Sequence, residues 1–113
     1  MIRRVSILTR KSELTHEEFV HHWENVHGPL ALEVPGIRRY VQSHIVDEHF
    51  RTDLTSQEDQ IDGIAELWYD SLDTLRKSSE TTEAKALYAD GAKIIGKIRT
   101  FIIEEKEIVN KIE

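Results

Sequence analysis

Apolar and polar positions along the chain predict six main elements. Residues 2–9 (IRRVSILT) partly alternate and are rich in β-branched residues, which predicts a strand with Val5 and Ile7 on one face. Residues 37–46, 61–69 and 98–109 predict three further strands for the same reason. Two stretches with apolar residues at three- and four-residue spacings predict helices, one beginning at Thr15 and the other covering residues 81–96.

The first helix has recognisable signals at both ends. Thr15 and Glu18 form a capping-box pattern, which indicates the start of the helix. Gly28 and Pro29 predict its end after His27, because glycine tolerates a left-handed cap and proline cannot continue the hydrogen-bond ladder.

A helical wheel divides the residues of this helix into three groups. Phe19, Trp23 and Val26 fall on one narrow apolar stripe, so we expect them to be buried. His22 and His27 lie at the margins of that stripe, whereas polar residues such as Glu24 fall on the solvated side.

The second half of the chain repeats the helix-then-strand pattern. Asp70 or Ser71 can cap a short helix through Leu72 and Leu75. The longer helix over residues 81–96 then presents regularly spaced residues to the core, namely Ala84, Leu87, Tyr88, Gly91, Ile94 and Ile95.

The predicted order β-α-β-β-α-β indicates an α+β, ferredoxin-like fold with an antiparallel four-stranded sheet and helices on one face. A chain of 113 residues fits a single domain covering residues 1–113. The strands carry apolar residues on both faces, so the face away from the helices needs cover. A homodimer that packs sheet against sheet would cover it and leave room for a pocket.

Composition narrows the classes of function. The chain has no cysteine, which excludes disulfides and thiolate metal sites, and its formal net charge of −6 argues against binding nucleic acid. Its apolar stretches are too short for a signal peptide or a membrane span. We therefore expect a cytoplasmic protein that does not interact with membranes.

Histidine supplies the candidate chemistry. The carbonyl groups at a helix end favour a protonated His27 and apolar surroundings oppose it, so this side chain could titrate near neutral pH and act as a general acid or base. The alternative is that His27 only hydrogen-bonds the helix end. No two histidines of this helix have the four-residue spacing of a helical zinc pair, so we expect no metal site.

Four motifs stand out along the chain: F-x-x-H-W-x-x-x-H-G-P-L over residues 19–30, P-G-I-R-R-Y-V over residues 35–41, D-G-I-A-E-L-W-Y over residues 62–69 and A-D-G over residues 89–91. Together they resemble the EthD family of dimeric α+β barrel proteins. The resemblance implies a homodimer in which two sheets form a barrel and each subunit holds a pocket between its sheet and helices.

The resemblance also implies two catalytic residues. A methylmuconolactone methylisomerase in the family uses a helix histidine and a tyrosine near its lactone, and these roles fall on His27 and Tyr40. This chain departs from that enzyme at Leu67, where the enzyme has a cysteine. The expected function is a small cofactor-independent enzyme that moves a proton on an apolar oxygenated molecule, such as a lactone, phenol or polyketide-type ring, in an isomerisation or cyclisation.

Five further residues are candidates for the wall of the pocket: His22, Trp23, His44, Glu66 and Trp68. Glu66 could be a desolvated base or could form an ion pair with an arginine of a neighbouring strand. The sequence leaves open which face of residues 61–69 lines the pocket.

Two other functions stay open. One is a noncatalytic accessory protein that binds a small hydrophobic or aromatic ligand and uses the acidic 47–60 connection as a contact surface. The other is a haem-binding relative with His27 or His44 as axial ligand.

Overall fold

The computed structural model describes residues 1–56 and 59–113. Its strands form one antiparallel sheet in the order β2-β3-β1-β4, which confirms the ferredoxin-like α+β fold. Part of the predicted 47–60 connection, residues 57 and 58, lies outside the described residues. The strands are β1 (Ile2–Arg10), β2 (Arg39–His44), β3 (Gly63–Tyr69) and β4 (Ile95–Glu104).

Register assigns each strand residue to one of two faces. Ser6 of β1 lies opposite Ala65 of β3 and Thr100 of β4, and this row faces the helices. The preceding residue, Val5, lies opposite Glu66 and Phe101 on the other face. The helices therefore cover only one side of the sheet.

The first helical region begins as predicted but does not end as predicted. It consists of α1 (His16–His22), a π-helical turn (Trp23–His27), α2 (Gly28–Leu30) and a 3₁₀ turn (Ala31–Glu33). The Thr15 hydroxyl accepts from the Glu18 amide and the Glu18 carboxylate accepts from the Thr15 amide, which confirms the capping box.

The predicted helix end at Gly28 and Pro29 is wrong. Gly28 has right-handed helical angles, φ −53° and ψ −48°, and its N–H donates to the Trp23 carbonyl five residues back. Pro29 is tolerated because it lies in the first turn of α2, where an N–H is not required. The chain approaches β2 closely here, because a Cβ on Gly28 would lie 3.1 Å from Gln42 Nε2.

The wide turn also changes which residues are buried. Val26, expected on the apolar stripe, is 46 % exposed, and that expectation is wrong. The π-helical turn uses an extra residue, so the position that a regular helix would give to Val26 passes to His27, whose side chain is only 12 % exposed. Phe19 and Trp23 precede this change and are fully buried, as expected.

The remaining helices are α3 (Leu72–Ser79) and α4 (Thr82–Gly91). Of the two capping residues considered, Ser71 caps α3 by accepting from the Thr74 amide. The prediction that α4 continues to residue 96 is wrong, because the Lys93 and Ile94 amides close a turn on the carbonyls of Asp90 and Gly91. The chain then enters β4, which ends at Glu104 and not at residue 109.

The main core lies between sheet and helices. Leu8, Phe19, Trp23, Ala65 and Ile94 form one buried cluster there. In the part of the chain that the structure describes, no helix is long and apolar enough to cross a membrane.

Candidate functional site

A cavity of about 440 Å³ separates the inner face of the sheet from α4 and the π-helical turn. This size suits a small organic ligand. The wall is mainly apolar and is formed by residues from the sheet, the π-helical turn and α4, namely Arg4, Ser6, Leu8, Trp23, His27, Tyr40, Ala65, Leu67, Leu87, Tyr88, Gly91, Ala92, Ile95, Ile98 and Thr100.

Behind this wall, one carboxylate joins two histidines. His27 donates from Nδ1 to Asp90 Oδ2 at 2.9 Å, and His22 donates from Nε2 to both carboxylate oxygens at 3.0 and 3.1 Å. Asp90 is only 6 % exposed. We call His22, His27 and Asp90 the histidine–aspartate cluster.

The π-helical turn and α4 position this cluster. The turn rotates His27 towards α4, and Gly91 leaves room for its ring, since a Cβ there would lie 3.2 Å from His27 Cε1. Asp90 lies in the last turn of α4, where partial negative charge on the free carbonyls disfavours a carboxylate. The imidazole N–H groups of His22 and His27 therefore stabilise the Asp90 carboxylate, which the end of the helix does not.

The cluster shifts the pKa of two of its members. Burial would raise the pKa of Asp90, but the hydrogen bonds from His22 and His27 outweigh it and hold that pKa below its usual value. Burial lowers the pKa of His27 more than the nearby Asp90 carboxylate raises it. His27 is thus predominantly neutral at neutral pH, with the proton on Nδ1 favoured by the carboxylate.

The cavity also exposes a phenol. Tyr40 on β2 accepts a hydrogen bond from Gln42 Nε2 at 2.8 Å, so its own proton is available to a ligand. Burial raises the pKa of Tyr40 and keeps it a neutral donor. The same Gln42 nitrogen donates to the Trp23 carbonyl at 2.7 Å, which connects β2 to the π-helical turn.

The structure brings only some of the predicted site residues to the cavity. Trp23, His27 and Tyr40 line it, and His22 lies behind His27 on Asp90. The ring of His44 stacks on Trp23 at 4.9 Å and hydrogen-bonds Gln42 Oε1 at 3.1 Å, so it supports the wall from behind.

Glu66 and Trp68 lie on the opposite face of β3, away from this cavity. Glu66 pairs with Arg3 at 3.1 Å, which matches the ion-pair alternative, and the Arg39 guanidinium stacks 4.5 Å from the Trp68 ring. The face of β3 that lines the cavity is therefore the one that carries Ala65 and Leu67.

Sequence reasoning misses two polar groups, Asp90 and Arg4. Asp90 follows Leu87 by three residues and so shares its buried face, and an acid in the last turn of a helix opposes the helix dipole. These two signals could have identified it. Arg4 alternates with its neighbours along β1, and only the register places it on the helix side.

The site does not resemble a metal centre. Within residues 1–56 and 59–113, no group of three or more His, Asp or Glu side chains is arranged to hold a metal ion.

Fold and cavity together define a small α+β domain with a ligand-sized apolar pocket between its sheet and helices. The chain belongs to the EthD family, whose EthD domain matches residues 11–98.

Relatives of known structure or assigned activity agree with this. The chain is 26 % identical over 106 residues, 93 % of this chain and 98 % of the relative, to a 4-carboxymethyl-4-methylbutenolide mutase of Pseudomonas reinekei. It is also similar to an EthD family protein of Bacillus halodurans, with 28 % identity, a TM-score of 0.73, and coverage of 94 % of this chain and 100 % of that one.

A dimeric ferredoxin-like protein of unknown function from Thermobifida fusca shares the fold. Its TM-score is 0.67 at 14 % identity, with 90 % of this chain and 88 % of that chain covered.

Proposed function

We propose that this protein is a cofactor-independent enzyme that isomerises or cyclises an apolar oxygenated ring molecule, such as a lactone, by moving a proton. The observation that carries the proposal is that His27 and Tyr40 line one apolar cavity while Asp90 holds the His27 ring from behind. The similarity to a butenolide mutase supports a lactone as the substrate class.

His27 is the proposed acid and base. With its Nδ1–H donated to Asp90, its Nε2 is unprotonated and accepts a proton from a carbon next to the ligand carbonyl. The imidazolium exchanges this proton with solvent, and the same nitrogen then donates a proton to another carbon of the conjugated system, which shifts the double bond without net loss of atoms. Asp90 stabilises the imidazolium that exists between these two transfers.

Tyr40 is the proposed electrophile. Its O–H donates a hydrogen bond to the carbonyl oxygen, which gains negative charge as the neighbouring carbon loses its proton. Because this phenol is desolvated and its oxygen is already held by Gln42, it needs little reorganisation as that charge develops.

We further propose that the enzyme is a cytoplasmic homodimer. The sheet face away from the helices is uncovered in one chain, and Phe101 on it is 40 % exposed. Structural relatives described as dimeric support the packing of two such faces.

Proton exchange tests the activity even where the identity of the product is unknown. The purified protein is incubated in D₂O with a panel of butenolides and other unsaturated lactones, and carbon-bound protons are followed by NMR. We expect deuterium incorporation and a shifted double bond for at least one lactone. His27→Ala should abolish both, whereas His21→Ala, an exposed position on the same helix, should not.

Other outcomes point to the alternatives. A ligand that binds without proton exchange or product formation would favour an accessory binding protein. The apolar Leu67 on the cavity wall also fits that alternative, because the related methylisomerase has a cysteine there. A Soret band on titration with haemin that disappears in His27→Ala would favour a haem-binding role. Full exchange in His27→Ala would contradict the catalytic assignment.

A further inference from the structure

Arg4 is a cation on the wall of an otherwise largely apolar cavity. Its Nη1 donates to the Tyr88 hydroxyl at 3.0 Å and to Ser79 Oγ at 3.2 Å. Its guanidinium lies 5.7 Å from the Tyr69 ring and 5.5 Å from the Tyr88 ring. These contacts fix the position of the guanidinium but leave its charge without an anion.

Comparison with the other partly buried arginines makes this distinctive. Arg3 pairs with Glu66 at 3.1 Å and Arg10 pairs with Asp62 at 2.7 Å. Arg4, by contrast, has no carboxylate within 4.0 Å among the residues that the structure describes. Arg4 is only partly buried, so a small ligand can reach its guanidinium, and a ligand carboxylate would supply the counter-ion that the fold does not.

We infer that Arg4 is the anion-recognising end of the cavity, so that the natural ligand is an apolar ring molecule carrying a carboxylate. The inference rests on the proposed function only in taking this cavity as the ligand site. A planar guanidinium matches a carboxylate with paired hydrogen bonds, which neutral ring molecules cannot make.

Arg4 and His27 line the same cavity beside neighbouring turns of α4. Tyr88, which accepts a hydrogen bond from Arg4, and Gly91, which leaves room for the His27 ring, are three residues apart on this helix, a rise of about 4.5 Å. A carboxylate held at Arg4 would therefore orient the attached ring towards His27 and Tyr40. Arg4 would then determine specificity, and His27 with Tyr40 would carry out the proton transfer.

A matched pair of probes tests the charge preference directly. Phenylacetate and its neutral isostere phenylacetamide are titrated separately into the protein and followed by amide chemical shifts. We expect phenylacetate to bind about 10- to 100-fold more tightly, as a charge-assisted pair predicts. Arg4→Met should remove that preference while leaving the affinity for phenylacetamide unchanged.

Two variants serve as controls. Arg3→Met, one residue away on the opposite face, should retain the full preference for phenylacetate. Arg4→Lys keeps the charge and should retain part of it, which keeps the test informative if Arg4→Met does not fold.

Several results would overturn the inference. They are equal affinity of the wild-type protein for the two probes, absence of binding for phenylacetate at millimolar concentration, or a preference that survives in Arg4→Met. The outcome is separate from that of the proposed function, because His27→Ala should retain the phenylacetate preference. If the protein prefers phenylacetate but exchanges no lactone protons, the assignment of Arg4 stands and the proposed enzymatic activity is contradicted.

Discussion

Two buried aspartates, Asp62 and Asp90, accept hydrogen bonds from histidine side chains in different parts of the molecule. Asp62 lies before β3 and is 1 % exposed, and Asp90 lies near the end of α4 and is 6 % exposed. His16 donates to Asp62 at 2.8 Å, much as His27 donates to Asp90 at 2.9 Å. The residue types are the same, but the remaining partners differ.

Asp62 is surrounded by fixed donors. Its carboxylate accepts from the Arg10 backbone at 2.8 Å and from the Arg10 guanidinium at 2.7 Å, while its own amide donates to the Leu8 carbonyl at 2.8 Å. These bonds hold the start of β3 against the end of β1. Both carboxylate oxygens thus accept hydrogen bonds from within the fold, which favours a structural role for Asp62.

Among residues 1–56 and 59–113, no guanidinium pairs with Asp90. Its close partners are the imidazoles of His22 and His27, and the exposed Lys93 ammonium is 4.0 Å away. One of these imidazoles borders a cavity, so its protonation can respond to a ligand. The partners of a buried carboxylate, and not its burial, therefore distinguish Asp62 from Asp90, for which we propose a chemical role.

The largest expected effect is on activity. Asp90→Asn should lower lactone turnover about 10²- to 10⁴-fold, because the amide no longer fixes the productive His27 tautomer or stabilises the imidazolium. Turnover is measured on the lactone identified by the exchange assay. If Asp62→Asn lowers turnover equally at a temperature where both variants are folded, the two aspartates do not differ in role.

The second effect is on stability. Asp62→Asn should lower the free energy of unfolding by about 3 kcal/mol, because it leaves the Arg10 guanidinium without its buried counter-ion. Asp90→Asn should cost clearly less, since its close partners are imidazoles and not a permanently charged guanidinium. Urea denaturation of both variants measures the difference, and a larger loss for Asp90→Asn would reverse the comparison.

The smallest effect is on the pH dependence of stability. Burial depresses the pKa of His27 in the folded protein, so between that pKa and about 6.5 the unfolded chain binds more protons. The free energy of unfolding should therefore be highest above about pH 6.5 and decrease as the pH falls through this range.

Two variants distinguish the pH dependence of stability that is due to His27 from that due to the aspartates. His27→Gln should remove the decrease near pH 6, whereas Asp62→Asn should retain it and change only the more acidic region, where the depressed pKa of Asp62 applies. Urea titrations at intervals of half a pH unit measure both, and an unchanged slope in His27→Gln would contradict the assignment.

The sequence predicts the fold well because the signals involved are local. Thr15 with Glu18 and Ser71 with Thr74 need only neighbouring residues to act as caps, and β-branched strands alternate independently of their partners. Element order then leaves few topologies, since short connections favour the antiparallel plait.

The site is less predictable because it depends on distant contacts. A helical wheel assumes a regular helix and cannot anticipate the π-helical turn. It therefore places Val26 in the core and His27 at the margin, whereas the structure exposes Val26 and largely buries His27. Both faces of β3 carry apolar residues, so sequence alone cannot decide between Leu67 and Trp68 for the cavity. The helical spacing places Asp90 on the buried face of α4, but its histidine partners become apparent only in the folded structure.

The wide turn over Trp23–His27 also makes chain length a determinant of chemistry. Because a regular helix advances about 100° per residue, deleting one residue there would restore the ordinary ladder and turn a different side chain towards Asp90. Family members that keep the same motif letters but differ by a single insertion at this point would then present different groups to their ligands. An alignment gap of one position in this helix would thus change which side chain faces Asp90, even where the histidine itself is retained.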